Sequence, residues 1–90
     1  MANINVYIPS PFRPFTDDQS EIRIEGGTVG DVLENFKIQF PEAATRFFSI
    51  RTARYLNLYL NDVDVRTIEG MDTPVREGDE LAIVFAVAGG

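Results

Sequence analysis

Residues 80–90, ELAIVFAVAGG, contain the strand that decides the fold, followed by two glycines where the sequence ends. Apolar side chains alternate along this stretch, so that one face of the strand is formed by Leu81, Ile83, Phe85 and Val87. We predict a buried strand over residues 80–87. It runs directly into Ala88-Gly89-Gly90 without an intervening turn signal.

Four shorter segments upstream also predict strands, because apolar and polar residues alternate in them. They cover residues 3–8, 20–25, 55–60 and 63–65, and Asn61-Asp62 is typical of a two-residue hairpin turn between the last two. Residues 9–19, which we call the proline segment, are predicted to form a loop because Pro9, Pro11 and Pro14 interrupt any regular pattern.

One amphipathic helix is predicted after Gly26-Gly27, with Thr28 as its N-cap. Its apolar stripe follows helical spacing through Val29, Val32, Leu33, Phe36 and Phe40. Pro41 ends this helix or starts a short further turn through Phe48. The resulting order, β-β-α-β-β-β, favours an α+β fold with the helix on one face of a mixed sheet and the last strand beside the first.

Composition excludes many kinds of site in this chain of 90 residues. Without Cys or His there is no thiolate metal site, no thiol nucleophile and no His-dependent triad. The net charge of −6 and the absence of a basic stripe argue against nucleic-acid binding. No run approaches the roughly 20 apolar residues that span a bilayer, and Pro9, Pro11 and Pro14 interrupt the apolar stretch that a signal peptide would need, so we expect none. We expect a cytoplasmic protein.

Three further features have a structural and a functional interpretation. The glycines before the helix are typical of phosphate loops, but the Gly-Lys-Ser/Thr ending is missing, and a turn with an N-cap explains them better. Asp62 and Asp64 suggest a cation site but lack further ligands at calcium-loop spacing, so we predict no metal site. Phe12 and Phe15 are either buried plugs or anchors for a partner.

The two terminal glycines can be a frayed chain end or a functional tail. A tail without β-carbons can enter a narrow active site in extended form, and its carboxylate is unhindered. We favour the functional tail, with residues 1–87 as the domain and residues 88–90 as a flexible tail that projects from it. No trimming is expected to be needed to expose Gly90.

Over nearly all its length the chain resembles the sulfur-carrier proteins of the ubiquitin-like β-grasp fold. This family includes the molybdopterin-synthase small subunit, the thiamine-pathway carrier and carriers that serve amino-acid biosynthesis. The resemblance lies in the motifs NINVYIP, GGTVGDVL, LNLYLNDVDVR, REGDELAIV and VAGG. The segment IPSPFRPFT, residues 8–16, resembles the first loop of the carriers that deliver sulfur for cysteine synthesis.

The resemblance implies a protein co-substrate, not an enzyme. An E1-like partner would adenylate the Gly90 carboxylate with ATP, and a sulfur donor would then leave a thiocarboxylate. Ala88, Gly89 and Gly90 would thread the partner's active site, and a sulfur-accepting synthase and a trimming metalloprotease are further implied partners. No bound cofactor is implied. The rivals are the molybdopterin-synthase small subunit, a ubiquitin-like protein modifier and a non-covalent interaction module.

We expect partners to dock on the face of the sheet that points away from the helix, because apolar and aromatic residues alternate with the core set there. These residues are Tyr7, Tyr55, Tyr59, Ala82, Val84 and Ala86. The alternative is that residues 43–48 or the proline segment cover this face.

Overall fold

The structure, a computed structural model, describes residues 1–49 and 55–85. Its strands are β1 Ala2–Tyr7, β2 Glu21–Gly26, β3 Leu56–Leu60, β4 Val63–Asp64 and β5 Glu80–Phe85. Two helices, α1 Val29–Gln39 and α2 Pro41–Phe47, lie between β2 and β3 in the chain. The strands form one mixed sheet in the order β2-β1-β5-β3-β4, which confirms the predicted α+β class.

Strand β5 lies in the middle of the sheet, beside β1, as predicted. It pairs in parallel with β1, where Tyr7 is opposite Ala82, and antiparallel with β3, where Leu56 is opposite Phe85. The first and last strands are therefore neighbours although almost the whole chain separates them.

The core lies between the sheet and the two helices, and the alternation in the sequence predicts the strand residues that enter it. The buried strand residues include Ile4, Val6, Ile22, Ile24, Leu58, Leu60, Leu81 and Ile83. Helix α1 contributes Val29, Val32, Leu33 and Phe36, and α2 contributes Ala43, Ala44 and Phe47. Phe40 and Phe85 are half-buried and pack against this cluster.

Helix α1 begins where its capping residue predicts. The Thr28 hydroxyl accepts a hydrogen bond from the Asp31 backbone N–H at 3.1 Å, which satisfies one of the free amides of the first turn. Pro41 does not only end α1. It starts α2, since proline at the first helical position loses no backbone hydrogen bond.

The predictions for the proline segment and for the return strand of the hairpin need correction. The proline segment contains a 3₁₀ helix over Ser10–Thr16, because its i to i+3 bonds and a proline in the first turn are compatible. The buried Thr16 hydroxyl lies 3.2 Å from the carbonyl oxygen of Arg13 and 3.1 Å from that of Gln19, and these bonds close the segment. The return strand ends at Asp64, where a 3₁₀ turn begins with Val65. Residues 67–77 contain another such turn, Gly70–Asp72.

Candidate functional site

The predicted carrier tail follows the central strand. The proposed tail residues Ala88, Gly89 and Gly90 lie outside the described residues, as do Ala86 and Val87. Their placement stays a prediction. What the structure describes is the strand that leads to them, which has hydrogen-bonded neighbours on both sides.

Aromatic side chains hold the end of β5. The rings of Phe12 and Phe85 have centroids 4.8 Å apart, and Phe47 lies 4.6 Å from Phe12 and 5.8 Å from Phe85. Phe12 therefore packs the proline segment against α2 and against the end of β5. Of the two interpretations of Phe12, the plug is confirmed.

Phe15 has a different environment from Phe12. It packs against the edge of the core, and the Arg46 guanidinium lies over its ring at 4.2 Å from the centroid. This cation–π contact occupies one face of the ring, so Phe15 also serves the packing of the proline segment on α2.

Three of the predicted docking residues form a row across the outer face of the sheet. We call this row, which consists of Tyr7, Ala82 and Tyr59, the outer row. Tyr7 and Tyr59 are both paired with Ala82, one from each neighbouring strand. All three are half-buried. Val84, two residues further along β5, is 40% exposed, and the half-buried Tyr55 immediately precedes β3.

The proline segment and residues 43–48 do not cover the outer row. Phe12 contacts Phe47 and Phe85, and Phe85 shares the core-facing side of β5 with Leu81 and Ile83. Both segments therefore lie on the helix side of the sheet. The alternative that these two segments cover the outer face is therefore wrong.

Acidic groups border the outer row. The Tyr7 hydroxyl donates a hydrogen bond to Glu80 Oε2 at 3.1 Å. This bond is the main cause that raises the pKa of Tyr7 above its usual value, and the negative charges of Glu21 and Glu80 act in the same direction. The carboxylates of Glu21 and Glu80 therefore lie near the Tyr7 end of the row.

Residues at the hairpin end of the row were missed as site candidates. The Asn61 side chain accepts from the Glu80 backbone N–H and donates to Asp79 Oδ1, both at 3.0 Å, and so ties the β3–β4 turn to the start of β5. Glu80 could have been found from the sequence, because it alternates in phase with Ala82 and Val84. Asn61 required the tertiary structure.

The other candidate sites have structural roles. Asn61 and Asp62 adopt φ values of 49° and 70°, as the predicted hairpin turn requires. Arg66 forms an ion pair with the Asp64 carboxylate at 2.7 Å, and its hydrogen bonds lower the pKa of Asp64. Within residues 1–49 and 55–85, no cluster of metal-ligating side chains is present.

Comparison with known proteins identifies the family. The sequence profile of the ThiS family matches residues 6–90. The chain belongs to the ThiS family. This membership confirms the predicted sulfur-carrier resemblance over most of the sequence.

A curated relative and two solved structures agree with this assignment. The sulfur carrier protein CysO of Mycobacterium tuberculosis is 34% identical over 92 residues, covering 98% of this chain and 99% of the relative. The crystal structure of M. tuberculosis CysO superposes with a TM-score of 0.83 at 31% identity, covering 94% of this chain and 100% of the other. A chain of the Amycolatopsis orientalis BexX/CysO complex has the same TM-score at 32% identity, covering 97% and 99%.

These similarities confirm the β-grasp fold and the carrier role. The protein is a sulfur carrier of the ThiS family, and it acts as a sulfur donor and not as a catalyst. Its relative from A. orientalis has been solved in a complex. In the part of the chain that the structure describes, no helix is long and apolar enough to cross a membrane.

Proposed function

We propose that this protein carries sulfur as a thiocarboxylate on Gly90. A partner enzyme of the E1-like class transfers AMP from ATP to the Gly90 carboxylate and releases pyrophosphate. A sulfur donor then attacks the acyl carbon and displaces AMP. The thiocarboxylate is a nucleophile at neutral pH, so the carrier needs no general base of its own, in agreement with its lack of His and Cys.

The second step delivers the sulfur inside a sulfur-accepting synthase. The terminal sulfur attacks an activated, amino-acid-derived substrate and displaces its leaving group, so that the product stays joined to the acyl carbon of Gly90. A metalloprotease then hydrolyses this link, which releases the product and restores the Gly90 carboxylate. The similarity to CysO supports amino-acid biosynthesis, and cysteine synthesis in particular, as the pathway. ATP belongs to the activating partner, so the carrier itself holds no cofactor, and we place the reaction in the cytoplasm.

The observation that carries this proposal is the family match through the terminal Gly89-Gly90, combined with the central position of β5. Pairing on both sides fixes the strand from which the tail departs. Five residues follow Phe85, and a fully extended chain of that length spans about 17 Å. A partner that binds the outer face of the sheet could therefore receive Gly90 in a nearby active site.

The docking part of the proposal assigns the outer face to these partners. The residues that we assign to this contact are Tyr7, Tyr55, Tyr59, Ala82 and Val84. Ala86 continues the same alternation in the sequence. An apolar and aromatic centre is the composition expected for the core of a protein interface.

Mass spectrometry of the intact protein tests the proposed chemistry. After incubation with its activating enzyme, ATP and a sulfur source, we expect the mass increase of one oxygen replaced by sulfur, and an alkylating reagent should trap the new group. A variant that lacks Gly89 and Gly90 is the control, since it should fold fully and acquire no sulfur.

Two results would contradict the proposal. If only adducts linked by isopeptide bonds to lysines of other proteins form, the chain is a protein modifier. If the variant without Gly89 and Gly90 keeps full function in the host, the protein is a non-covalent interaction module.

A further inference from the structure

The outer row contains a notch between its two tyrosines. Ala82 separates Tyr7 from Tyr59 in the register of three adjacent strands, and its side chain is a single methyl group. The tyrosines consequently border a depression of about 250 Å³ on the outer face. Its lining residues are Tyr7, Tyr59, Asn61, Asp62, Glu80 and Ala82.

Carboxylates line one side of the notch and are available for an external cation. Tyr7 occupies Glu80 Oε2, whereas Glu80 Oε1 and the Asp62 carboxylate make no hydrogen bond or ion pair with another residue in the described ranges. The described ion pairs join Arg23 to Glu77, Lys37 to Glu34 and Arg66 to Asp64. Arg66 lies near Tyr59 but is held by Asp64 and Asn57, so no described basic side chain forms an ion pair with Glu80 or Asp62.

We propose that this notch receives an arginine side chain from the surface of the enzyme that activates the tail. The proposal rests on the proposed function, because it assumes that such an enzyme holds Gly90. A guanidinium group suits both kinds of side chain that line the notch. Its plane stacks on tyrosine rings, and its parallel N–H groups pair with a carboxylate. A lysine ammonium group provides a point charge without the planar stacking surface.

The position of the notch and the charge of the carrier select this partner. The notch lies at the start of β5, with Ala82 three residues before Phe85, the last residue of the strand. A protein that holds the tail and also covers the outer face of this strand therefore reaches the notch. The net charge of −6 favours encounter with a basic surface, and a basic residue on that surface then meets Glu80 and Asp62 at the notch.

Calorimetric titration of the full-length carrier with the activating enzyme from the same genome tests the inference. We expect Glu80→Gln and Tyr59→Ala each to raise Kd by about tenfold or more, because each removes a group that contacts a desolvated guanidinium. Tyr59→Phe should bind nearly as wild type, since it keeps the ring. The matched control is Glu42→Gln, an exposed carboxylate on α2 with the same change of charge.

Alanine substitution of each surface arginine and lysine of the enzyme completes the test. One arginine should show coupling with Glu80, so that its replacement weakens binding of the wild-type carrier and has little further effect on Glu80→Gln. Coupling to a lysine only, or Kd values for Glu80→Gln and Tyr59→Ala within about twofold of wild type, would overturn the inference.

The same samples separate this inference from the proposed function. If wild type becomes thiocarboxylated and the two notch variants bind normally, the notch assignment fails and the carrier chemistry stands. If the wild-type protein binds the enzyme through the notch but gains no sulfur at saturating enzyme, ATP and sulfur donor, the proposed chemistry fails while the notch assignment stands.

Discussion

A β-carbon on Gly26 would lie 2.5 Å from Val32 Cγ2 and 2.8 Å from the Val32 backbone N. At the scale of single residues, this glycine therefore lets the end of β2 approach the first turn of α1. Its neighbour Gly27 has more space, since the nearest atom to an added β-carbon is Asp31 Oδ2 at 3.4 Å. Gly26 serves helix–strand packing, and no phosphate is needed to explain it.

We expect Gly26→Ala to destabilise the protein by about 1–3 kcal/mol, because the added methyl group overlaps backbone and side-chain atoms of Val32. Gly27→Ala is the matched control, and its effect should stay within about 0.5 kcal/mol. Urea unfolding followed by circular dichroism measures both. Equal stabilities of the two variants would refute the close-approach explanation.

At the scale of elements, the proline segment acts as a brace for the end of β5. Phe12 packs against both Phe47 of α2 and Phe85 of β5, whose rings also contact each other, so one ring joins three segments that are distant in the sequence. Phe15 contributes at the margin through Arg46. The brace holds the strand just before the proposed carrier tail.

Phe12→Ala should cost about 2 kcal/mol of unfolding free energy, less than a fully buried phenylalanine because Phe12 is half-buried. Phe15→Ala should cost about 1 kcal/mol or less, since its cation–π partner is solvent-accessible. Chemical denaturation of the two variants gives the comparison. A smaller loss for Phe12→Ala than for Phe15→Ala would argue against the brace.

At the scale of the whole molecule, a few polar links join segments far apart in the chain. Glu77 accepts hydrogen bonds from the Asn3 backbone N–H at 2.9 Å and from Arg23 at 3.0 Å, and so connects β1 and β2 to the turn before β5. The bond from Asn3 is the main cause that lowers the pKa of Glu77, with Arg23 acting in the same direction.

A carboxylate whose pKa is lowered by folding stabilises the folded state above its unfolded pKa. The contribution disappears as the pH falls through the lower, folded-state pKa. We therefore expect Glu77→Gln to be less stable than wild type at about pH 7, with the difference decreasing as the pH falls below about 4.3, the ordinary pKa of a glutamate. Urea unfolding across this range measures it. A stability difference that persists unchanged in acid would contradict the linkage.

The predictable parts of the fold are those with a local signal. Alternation identified the buried faces of the strands, Thr28 marked the start of α1, and Asn61-Asp62 marked the hairpin turn. The 3₁₀ helix in the proline segment was missed, because its short-range bonds leave no periodic pattern in the sequence and three prolines suggested an irregular loop.

The candidate site also has parts that the sequence predicted and parts that it did not. Gly90 was identified from the sequence through its terminal position and the family resemblance, and it remains a prediction because it lies outside the described residues. The apolar members of the outer face were identified from alternation. Glu80 was missed although it alternates in phase with Ala82 and Val84, whereas the contribution of Asn61 depends on its tertiary contacts with Asp79 and Glu80.

The sequence by itself determined the elements, the order in which they occur and the absence of thiol and imidazole groups, since each of these is local or compositional. Only the tertiary structure decided that Tyr7, Tyr59 and Ala82 form one row and that Phe12 packs, half-buried, against Phe47 and Phe85. The physical reason is strand register. It is established by long-range pairing and core packing, and no single segment of the chain contains that information.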